Sequence, residues 1–192
     1  NDLDDTTITD NSINTVGGPW SYKVDLYYNN GGVPTLKGSS TNASTIFLSI
    51  SPTDNQLNLT WEEYVPWTNN TYDIYRLNPT TLIYDSIATV SVKQFSDTGL
   101  ANGTQYCYYV RSRGSYSRDG IPTPLYNRSQ TLCGIPIDNV PPCATPLTVM
   151  SDCFDNSNFL SWINPNNVCS DDVLKYYIYY SPVDSSTFER ID

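Results

Sequence analysis

Short runs in which large apolar side chains occupy every second position recur along this 192-residue chain. In the clearest run, YCYYV, Tyr106, Tyr108 and Val110 fall on one side of an extended strand, and Cys107 and Tyr109 fall on the other. We find no convincing window with apolar residues at helical spacing. Sixteen tyrosines and thirteen prolines, with many Thr, Ser and Asn residues, also suit short strands joined by polar turns. The sequence therefore predicts an all-β fold.

The chain contains an internal repeat of about one domain length. The segment LNLTWEE returns as NFLSWIN, with Trp61 aligned on Trp162, and YDIYR returns as YYIYY, with Ile74 aligned on Ile178. The front of the chain shares a different pair with the middle, because WSYKV matches YCYYV. Only the middle part therefore holds both the early and the late strands of one repeating unit.

This pattern predicts three pieces of a tandem array. We expect residues 1–49 to be the last strands of one unit, 50–138 a complete unit, and 139–192 the first strands of a further unit. Neither end piece can bury a sheet face alone. Each completes its sheet within a longer chain or, if the end pieces exist as such, with another chain.

The order of the motifs resembles the fibronectin type III domain: Trp on an early strand, Y-x-I-Y on the next, then D-T-G-L-x-x-G-T-x-Y-x-Y-x-V. The resemblance implies tandem fibronectin type III-like (immunoglobulin-like) β-sandwiches, one complete and two partial. Strands E–G would lie in 1–49 and strands A–C′ in 139–192. Tyr106 falls at the tyrosine corner, where the hydroxyl bonds to nearby backbone. The implied core residues are Trp61, Ile74, Tyr106, Tyr108, Val110, Trp162 and Ile178.

Five cysteines without a C-x-x-C pair, in a chain without histidine, argue against a zinc site. In the sandwich that the resemblance implies, Cys107 on strand F and Cys133 on strand G share the outer face, and we expect a disulfide between them. Cys153 and Cys169 are the second expected pair, and Cys143 is expected to have its partner outside this segment. Disulfides imply an oxidising, extracytoplasmic setting.

Longer phrases narrow the resemblance. YCYYVRSRGSYS, NRSQTLCGIPIDNVPPC and SWINPNNVCSDDVLKYYIYYSP look like the region ahead of the C-terminal sorting domain in gliding-motility-associated surface proteins of Bacteroidetes. The resemblance implies an adhesin-like stalk of a large secreted protein on the bacterial cell surface, exported by the type 9 secretion system. The expected partners are other domains of the same long chain, with either the secretion or surface-attachment machinery or extracellular glycans as a further candidate. In this setting the pattern Asp-Ser-apolar marks Ser86 as a candidate for O-glycosylation.

Outer-face tyrosines leave two functions open. Tyr75 and Tyr109 are expected to be neighbours in one sheet, and Tyr177 and Tyr179 to line the equivalent strand of the next unit. They either pair across strands, which stabilises a sheet by about 0.2–1 kcal/mol per pair, or form a platform on which a sugar ring stacks. The first function is that of a structural spacer, and the second is that of a carbohydrate-binding module.

Composition argues against several other classes of protein. A net charge of −10 disfavours nucleic acid as a partner, because phosphate neutralisation needs clustered Lys and Arg. No apolar run approaches the roughly 18 residues of a membrane helix, so we expect no membrane insertion by this segment. Without histidine the usual general base is missing, and no glycine-rich phosphate loop occurs. We therefore expect no catalytic residues, no metal and no cofactor.

Overall fold

The structure is a computed structural model that describes residues 6–169, 173–182 and 187–191. The chain divides into two compact units, residues 1–139 and 140–192. The strands of the first unit are β1 (Ser21–Tyr22), β2 (Asp25–Asn30), β3 (Val33–Ser39), β4 (Ala43–Ser44), β5 (Phe47–Thr53), β6 (Gln56–Glu62), β7 (Thr68–Leu77), β8 (Tyr84–Val90), β9 (Gln94–Thr98), β10 (Tyr106–Ser115), β11 (Leu125–Arg128) and β12 (Leu132–Gly134). The strands of the second unit are β13 (Leu147–Asp152), β14 (Ser157–Trp162), β15 (Tyr179–Tyr180) and β16 (Glu189–Arg190).

The predicted all-β class is confirmed for the described part of the chain. Its strands form several small sheets in which every pair is antiparallel, and one 3-10 turn at Pro165–Asn167 is the only helical element described. Within the same residues there is no helix of the length and apolarity needed to cross a membrane.

Two sheets of the first unit bury their apolar faces against each other, and we call this part the middle module. One sheet has the order β5-β6-β9; the other has the order β11-β10-β7-β8, with β12 also paired to β10. The buried apolar residues are Ile46, Leu48, Leu57, Leu59, Trp61, Tyr72, Ile74, Leu100, Tyr108 and Val110. They come from both sheets, so a single core lies between the two layers.

Alternation along the strands explains which side chains enter this core. On β10, Tyr108, Val110 and Ser112 are buried and the residues between them are only half-buried. Trp61 and Ile74, from the facing sheet and the neighbouring strand, are also buried. The half-buried Tyr106 sits at the start of β10, and its hydroxyl accepts a hydrogen bond from the backbone N–H of Ala101 at 3.1 Å. This is the contact expected of a tyrosine corner.

Strand β5 belongs to the middle module along its whole length. Leu48 near its start, and Ile46 just before it, are at most 1% exposed and contribute to the core. The domain boundary expected between residues 49 and 50 therefore falls inside β5. The internal repeat identifies the strand that contains Trp61. The strand before it has no matching motif elsewhere in the chain, so the repeat does not indicate where that strand begins.

The chain enters and leaves the middle module at opposite ends of β5. It enters at Phe47, the first residue of the strand. After β12, the backbone N–H of Ile137 donates to the carbonyl of Thr53, the last residue of the strand, at 3.3 Å. Seven residues of extended strand span about 20 Å. The two connections are therefore separated by about the length of the sheet.

One side chain joins β5 to the second sheet. The amide nitrogen of Gln130 donates to the carbonyl of Leu48 at 2.7 Å, and its amide oxygen accepts from the Leu48 N–H at 3.0 Å. A carboxamide carries the same donor and acceptor as a peptide group. Gln130 therefore replaces one residue of a backbone ladder at this seam between the sheets.

The residues ahead of the middle module form a long hairpin, here called the front hairpin (residues 20–45). Its two arms pair as β1 with β4 and as β2 with β3. The turn between them is Gly31-Gly32, and both glycines have positive φ, as a tight hairpin turn requires. A hydrogen bond of 2.7 Å from the Ser44 N–H to the Tyr64 carbonyl joins the hairpin base to the middle module.

The second unit is built on the hairpin β13–β14, in which Leu147 lies opposite Trp162. Its disulfide joins Cys143 to Cys169, so the expected pair Cys153–Cys169 is wrong, and so is the expectation that Cys143 has its partner outside this segment. Cys153 is free and exposed.

The register of the hairpin explains this pairing. Cys143 precedes β13 and Cys169 follows β14, which places both at the open end of the hairpin. Cys153 lies in the turn at the other end of the hairpin. Because each strand has six residues, the turn is about 20 Å from the open end. A disulfide needs Cα atoms within about 7 Å of each other, so the turn cysteine cannot reach Cys169.

Candidate functional site: a tyrosine and arginine cluster on the outer face of the middle module

The outer face of the five-stranded sheet carries a group of polar and aromatic side chains that we call the outer-face cluster. It lies on the side of β10 opposite the core, because its β10 members alternate with the buried Tyr108 and Val110. The neighbouring strands β7 and β11 flank β10 on either side. The members of the outer-face cluster are Asp73, Tyr75, Tyr109, Arg111, Tyr126 and Arg128.

The first row of the outer-face cluster runs through Tyr109. Tyr75 lies directly opposite it on β7, and the two rings stack with centroids 4.6 Å apart and planes inclined by 12°. From the β11 side, the guanidinium of Arg128 lies 3.8 Å from the Tyr109 ring centroid. The ring of Tyr84 approaches at 5.0 Å with a tilt of 56°. The Tyr109 ring is therefore in contact with side chains from both flanking strands.

The second row runs through Arg111. Its guanidinium lies 5.2 Å from the Tyr75 ring centroid and 5.0 Å from that of Tyr126. It also donates a hydrogen bond to Asp73 at 3.2 Å. Arg111 is thus held by two rings and one carboxylate, which together restrain a side chain that is otherwise long and mobile.

Asp73 anchors the second row. Its side chain is 6% exposed and accepts hydrogen bonds from Thr89 at 2.8 Å and from Arg113 at 2.7 Å, in addition to the one from Arg111. Burial alone raises the pKa of a carboxyl group, but here the hydrogen bonds from Thr89, Arg111 and Arg113 outweigh it and hold the pKa of Asp73 below its ordinary value. Asp73 is therefore ionised at neutral pH and fixes both arginines.

The disulfide between Cys107 and Cys133 extends the same face toward the other end of β10. The two cysteines lie directly opposite each other in the β10–β12 register. Cys107 is two residues from Tyr109 on the same side of the strand. A covalent cross-link, stacked rings and ion pairs thus follow one another along a single strand.

The arrangement leaves little of the ring faces for a ligand. Tyr75 and Tyr109 stack on each other, and Arg128 and Arg111 cover further ring surface. A sugar stacks on an open aromatic face, whereas the ring faces in this row are in contact with each other and with arginine side chains. Cross-strand pairing, one of the two roles expected of these tyrosines, is what the contacts describe.

Tyr177 and Tyr179 lie in the second unit, in a different setting. Arg190 and Lys175 approach the Tyr177 ring centroid at 3.8 and 4.6 Å. Tyr179 is half exposed and pairs with Arg190 in the short β15–β16 ladder. These two tyrosines thus belong to the second unit, whereas the stacked pair Tyr75–Tyr109 belongs to the middle module.

The last candidate, Ser86, is exposed on β8 and lies opposite Tyr75 in the strand register. This position at the border of the outer-face cluster is accessible from solvent. Among the described residues, no three His, Cys, Asp or Glu side chains are grouped so that they could hold a metal ion.

Sequence reasoning missed a partly buried ion pair on the inner side of the same sheet. Asp97 accepts hydrogen bonds from Arg76 at 2.7 Å and from the hydroxyl of Tyr108 at 2.8 Å. Burial and the Asp97 carboxylate both raise the pKa of Tyr108. The sequence did contain a signal for this contact. Arg76 is two residues after the core residue Ile74 on the same strand, so its side chain lies on the inner face, where a charged group requires a partner.

Comparison with known proteins adds little to this description. No protein-family model matches the chain, and no curated protein matches it. Among solved structures, part of the chain is similar to the crystal structure of pectate lyase PelI from Erwinia chrysanthemi in complex with tetragalacturonic acid. The TM-score is 0.37 at 19% identity, over 46% of this chain and 28% of that one. The chain thus spans little more than a quarter of that structure, and a likeness this slight carries no argument.

Proposed function

We propose that the chain is a non-catalytic spacer and interaction segment of a large secreted cell-surface protein. In this proposal it is an adhesin-like stalk, exported by the type 9 secretion system, and its middle module is a fibronectin type III-like sandwich. The Tyr106–Ala101 hydrogen bond and the single core between two antiparallel sheets support the fold assignment. Two disulfides support an extracytoplasmic location, since such bonds persist in oxidising compartments.

One observation carries the spacer function: a braced module whose two chain connections lie at opposite ends. Tension between Phe47 and Ile137 runs along β5 through the length of the sheet. Across the second sheet, the outer-face cluster and the Cys107–Cys133 disulfide tie β7, β10, β11 and β12 together. A module built in this way transmits force between its neighbours without unfolding and extending.

Single-molecule stretching of the full chain, held at its two ends, tests this function. The oxidised middle module should unfold in a discrete event, and the disulfide should keep 26 residues out of the extended length. At about 3.5 Å per residue, the length released should be about 90 Å shorter than after reduction. The double variant Cys107→Ala with Cys133→Ala should release the longer length without reductant.

Two results would contradict the proposal. The first is extension of the middle module without a discrete unfolding event, since a spacer must hold its length under load. The second is tight glycan binding that is lost in the variant Tyr75→Ala with Tyr109→Ala while the fold survives. That result would instead assign the outer-face cluster to carbohydrate recognition, the alternative function that the sequence leaves open.

A further inference from the structure

A lysine, a carboxylate and a primary amide meet at one end of the middle module, away from the outer-face cluster. Glu63 follows the last residue of β6, and its side chain is 1% exposed. Its Oε1 accepts a hydrogen bond from Nδ2 of Asn69 at 2.7 Å and lies 3.7 Å from Nζ of Lys93. An amine and an amide are therefore held against the same buried oxygen atom. We call Glu63, Asn69 and Lys93 the amide triad.

Further hydrogen bonds hold the members of the amide triad in place. Nζ of Lys93 also donates to the carbonyl of Glu63 at 3.3 Å, and the Lys93 carbonyl accepts from the backbone N–H of Trp61 at 3.3 Å. The hydroxyl of Tyr72 donates to Oε1 of Glu63 at 2.6 Å. Burial and the hydrogen bond to Glu63 raise the pKa of Tyr72, so this hydroxyl keeps its proton and remains a donor.

The carbonyl of the Asn69 amide has a donor of its own. The indole N–H of Trp67 donates to Oδ1 of Asn69 at 2.9 Å. A donor at this oxygen stabilises the negative charge that develops there when a nucleophile attacks the amide carbon. Gly114 permits this packing, because a Cβ at that position would collide with the same oxygen. The Asn69 amide is therefore polarised at its oxygen and hydrogen-bonded to a carboxylate at its nitrogen.

The carboxylate of Glu63 keeps one oxygen without a hydrogen bond. Its Oε2 is buried and has no partner in the described structure. A buried acceptor without a partner costs free energy, which a purely structural ion pair would avoid. The same open oxygen gives the carboxylate the capacity to take up a proton.

We propose that Lys93 and Asn69 become joined by an amide bond, with Glu63 as the general acid and base. Glu63 takes a proton from the Lys93 ammonium, and the neutral Nζ attacks Cγ of Asn69. Glu63 then gives the proton to Nδ2, the bond between Cγ and Nδ2 breaks, and ammonia leaves. The second proton lost by Nζ converts the ammonia to ammonium. An ammonium and a primary amide thus become a secondary amide and an ammonium ion, without an oxidant or a cofactor.

A short movement of one side chain brings the reacting atoms together. Attack requires Nζ to come within about 3–3.5 Å of the amide carbon. Nζ and Nδ2 are both neighbours of Oε1, and the Lys93 side chain is 46% exposed and free to rotate about this oxygen. The reaction takes place once in each chain and is not turnover of a substrate.

The bond would join the two sheets of the middle module. Asn69 lies on β7, in the five-stranded sheet, and Lys93 directly precedes β9, in the three-stranded sheet. The Cys107–Cys133 disulfide, in contrast, joins two strands of one sheet. The inference goes beyond the proposed function and is tested separately from it, because its measurement is the mass of the chain and not its extension.

The intact mass of the reduced full chain tests the inference. We expect a mass that is lower than that of the sequence by one molecule of ammonia. After alkylation and digestion with trypsin, residues 38–76 and 77–111 should appear as one branched product, without cleavage after Lys93.

Three variants assign the chemistry to the amide triad. Lys93→Arg keeps the positive charge at a position that is nearly half exposed but removes the reactive amine. Glu63→Gln keeps the shape of the side chain but removes the acid and base. Both should show the full masses of their sequences. Lys23→Arg is the matched control, because Lys23 pairs with Asp25 at 3.3 Å in the front hairpin, and it should still lose ammonia.

Several results would overturn the inference. A chain that keeps its full mass after prolonged incubation in the folded state would mean that the amide triad forms an ion pair and hydrogen bonds only. A loss of ammonia that persists in Lys93→Arg would assign the loss to a succinimide at Asn30 or Asn102, each of which precedes a glycine. A branched product in Glu63→Gln would remove Glu63 from the mechanism.

Discussion

Removing the Cys107–Cys133 disulfide should lower the stability of the middle module by a calculable amount. The bond closes a loop with a sequence separation of 26 residues. In the chain-entropy treatment, such a loop reduces the entropy of the unfolded chain by about 12 cal/mol/K, which corresponds to about 3.5 kcal/mol at 25 °C. For a module of this size, each kcal/mol shifts the melting temperature by about 4–8 °C. We therefore expect Cys107→Ala with Cys133→Ala to lower the melting temperature by about 14–28 °C.

Thermal unfolding followed by near-UV circular dichroism and tryptophan fluorescence measures this change. Trp61 is 3% exposed in the core and reports on the middle module. The matched control is Cys143→Ala with Cys169→Ala, which removes a disulfide of identical sequence separation from the second unit. That control should leave the middle-module transition in place.

A loss below about 1 kcal/mol would refute the argument. It would mean that the unfolded middle module is already restricted near β10 and β12, so that the cross-link removes little entropy. An equal loss in the control pair would refute it in another way, because the effect would then not arise from the middle module.

Three further predictions concern single residues. A Cβ at Gly134 would lie 2.8 Å from a methyl group of Ile50, so Gly134→Ala should destabilise the middle module by about 1–3 kcal/mol in chemical denaturation, whereas Gly38→Ala, with open space around it, should change little. The pKa of Asp73 is lowered in the folded state, so the ionised carboxylate stabilises the fold above about pH 4, and this stabilisation is lost as pH falls through the folded pKa. Asp73→Asn should therefore reduce the dependence of the unfolding free energy on pH in the acid range. An unchanged acid dependence would contradict this. The pKa of Tyr108 is raised in the folded state, so the neutral hydroxyl stabilises the fold fully below about pH 10, and this stabilisation is lost as pH rises through the folded pKa. Tyr108→Phe should therefore reduce the dependence of the unfolding free energy on pH in the alkaline range. A pH dependence equal to that of the parent chain would contradict this.

The inner face of the middle module was predictable because its signal is local. Trp61, Ile74, Tyr108 and Val110 each follow a period of two, and all four are buried. The Cys107–Cys133 bond follows from the same parity, once two neighbouring strands are placed side by side. Alternation assigns a residue to a face, and facing residues on adjacent strands then meet.

Contacts that depend on register between distant segments were not predictable. The position of Arg128 over Tyr109 is set by how β11 returns after a long connection, and nothing in the two strands specifies that offset. The same is true of the disulfide in the second unit. Its partner choice depends on which end of the hairpin each cysteine occupies, and spacing along the chain alone did not distinguish Cys143 from Cys153.

The Cys107–Cys133 bond also determines what proteolysis can do to this chain. The connection from Tyr116 to Pro124 is largely exposed and lies inside the loop that the bond closes. A protease that cuts there adds one water molecule to the mass but releases no fragment, because both sides of the cut remain covalently joined. In an oxidising environment, the nicked protein would still be a single molecule. β10 would lie on one polypeptide and β12 on the other, and the disulfide would hold both strands in place. Separation into two polypeptides would require a reductant.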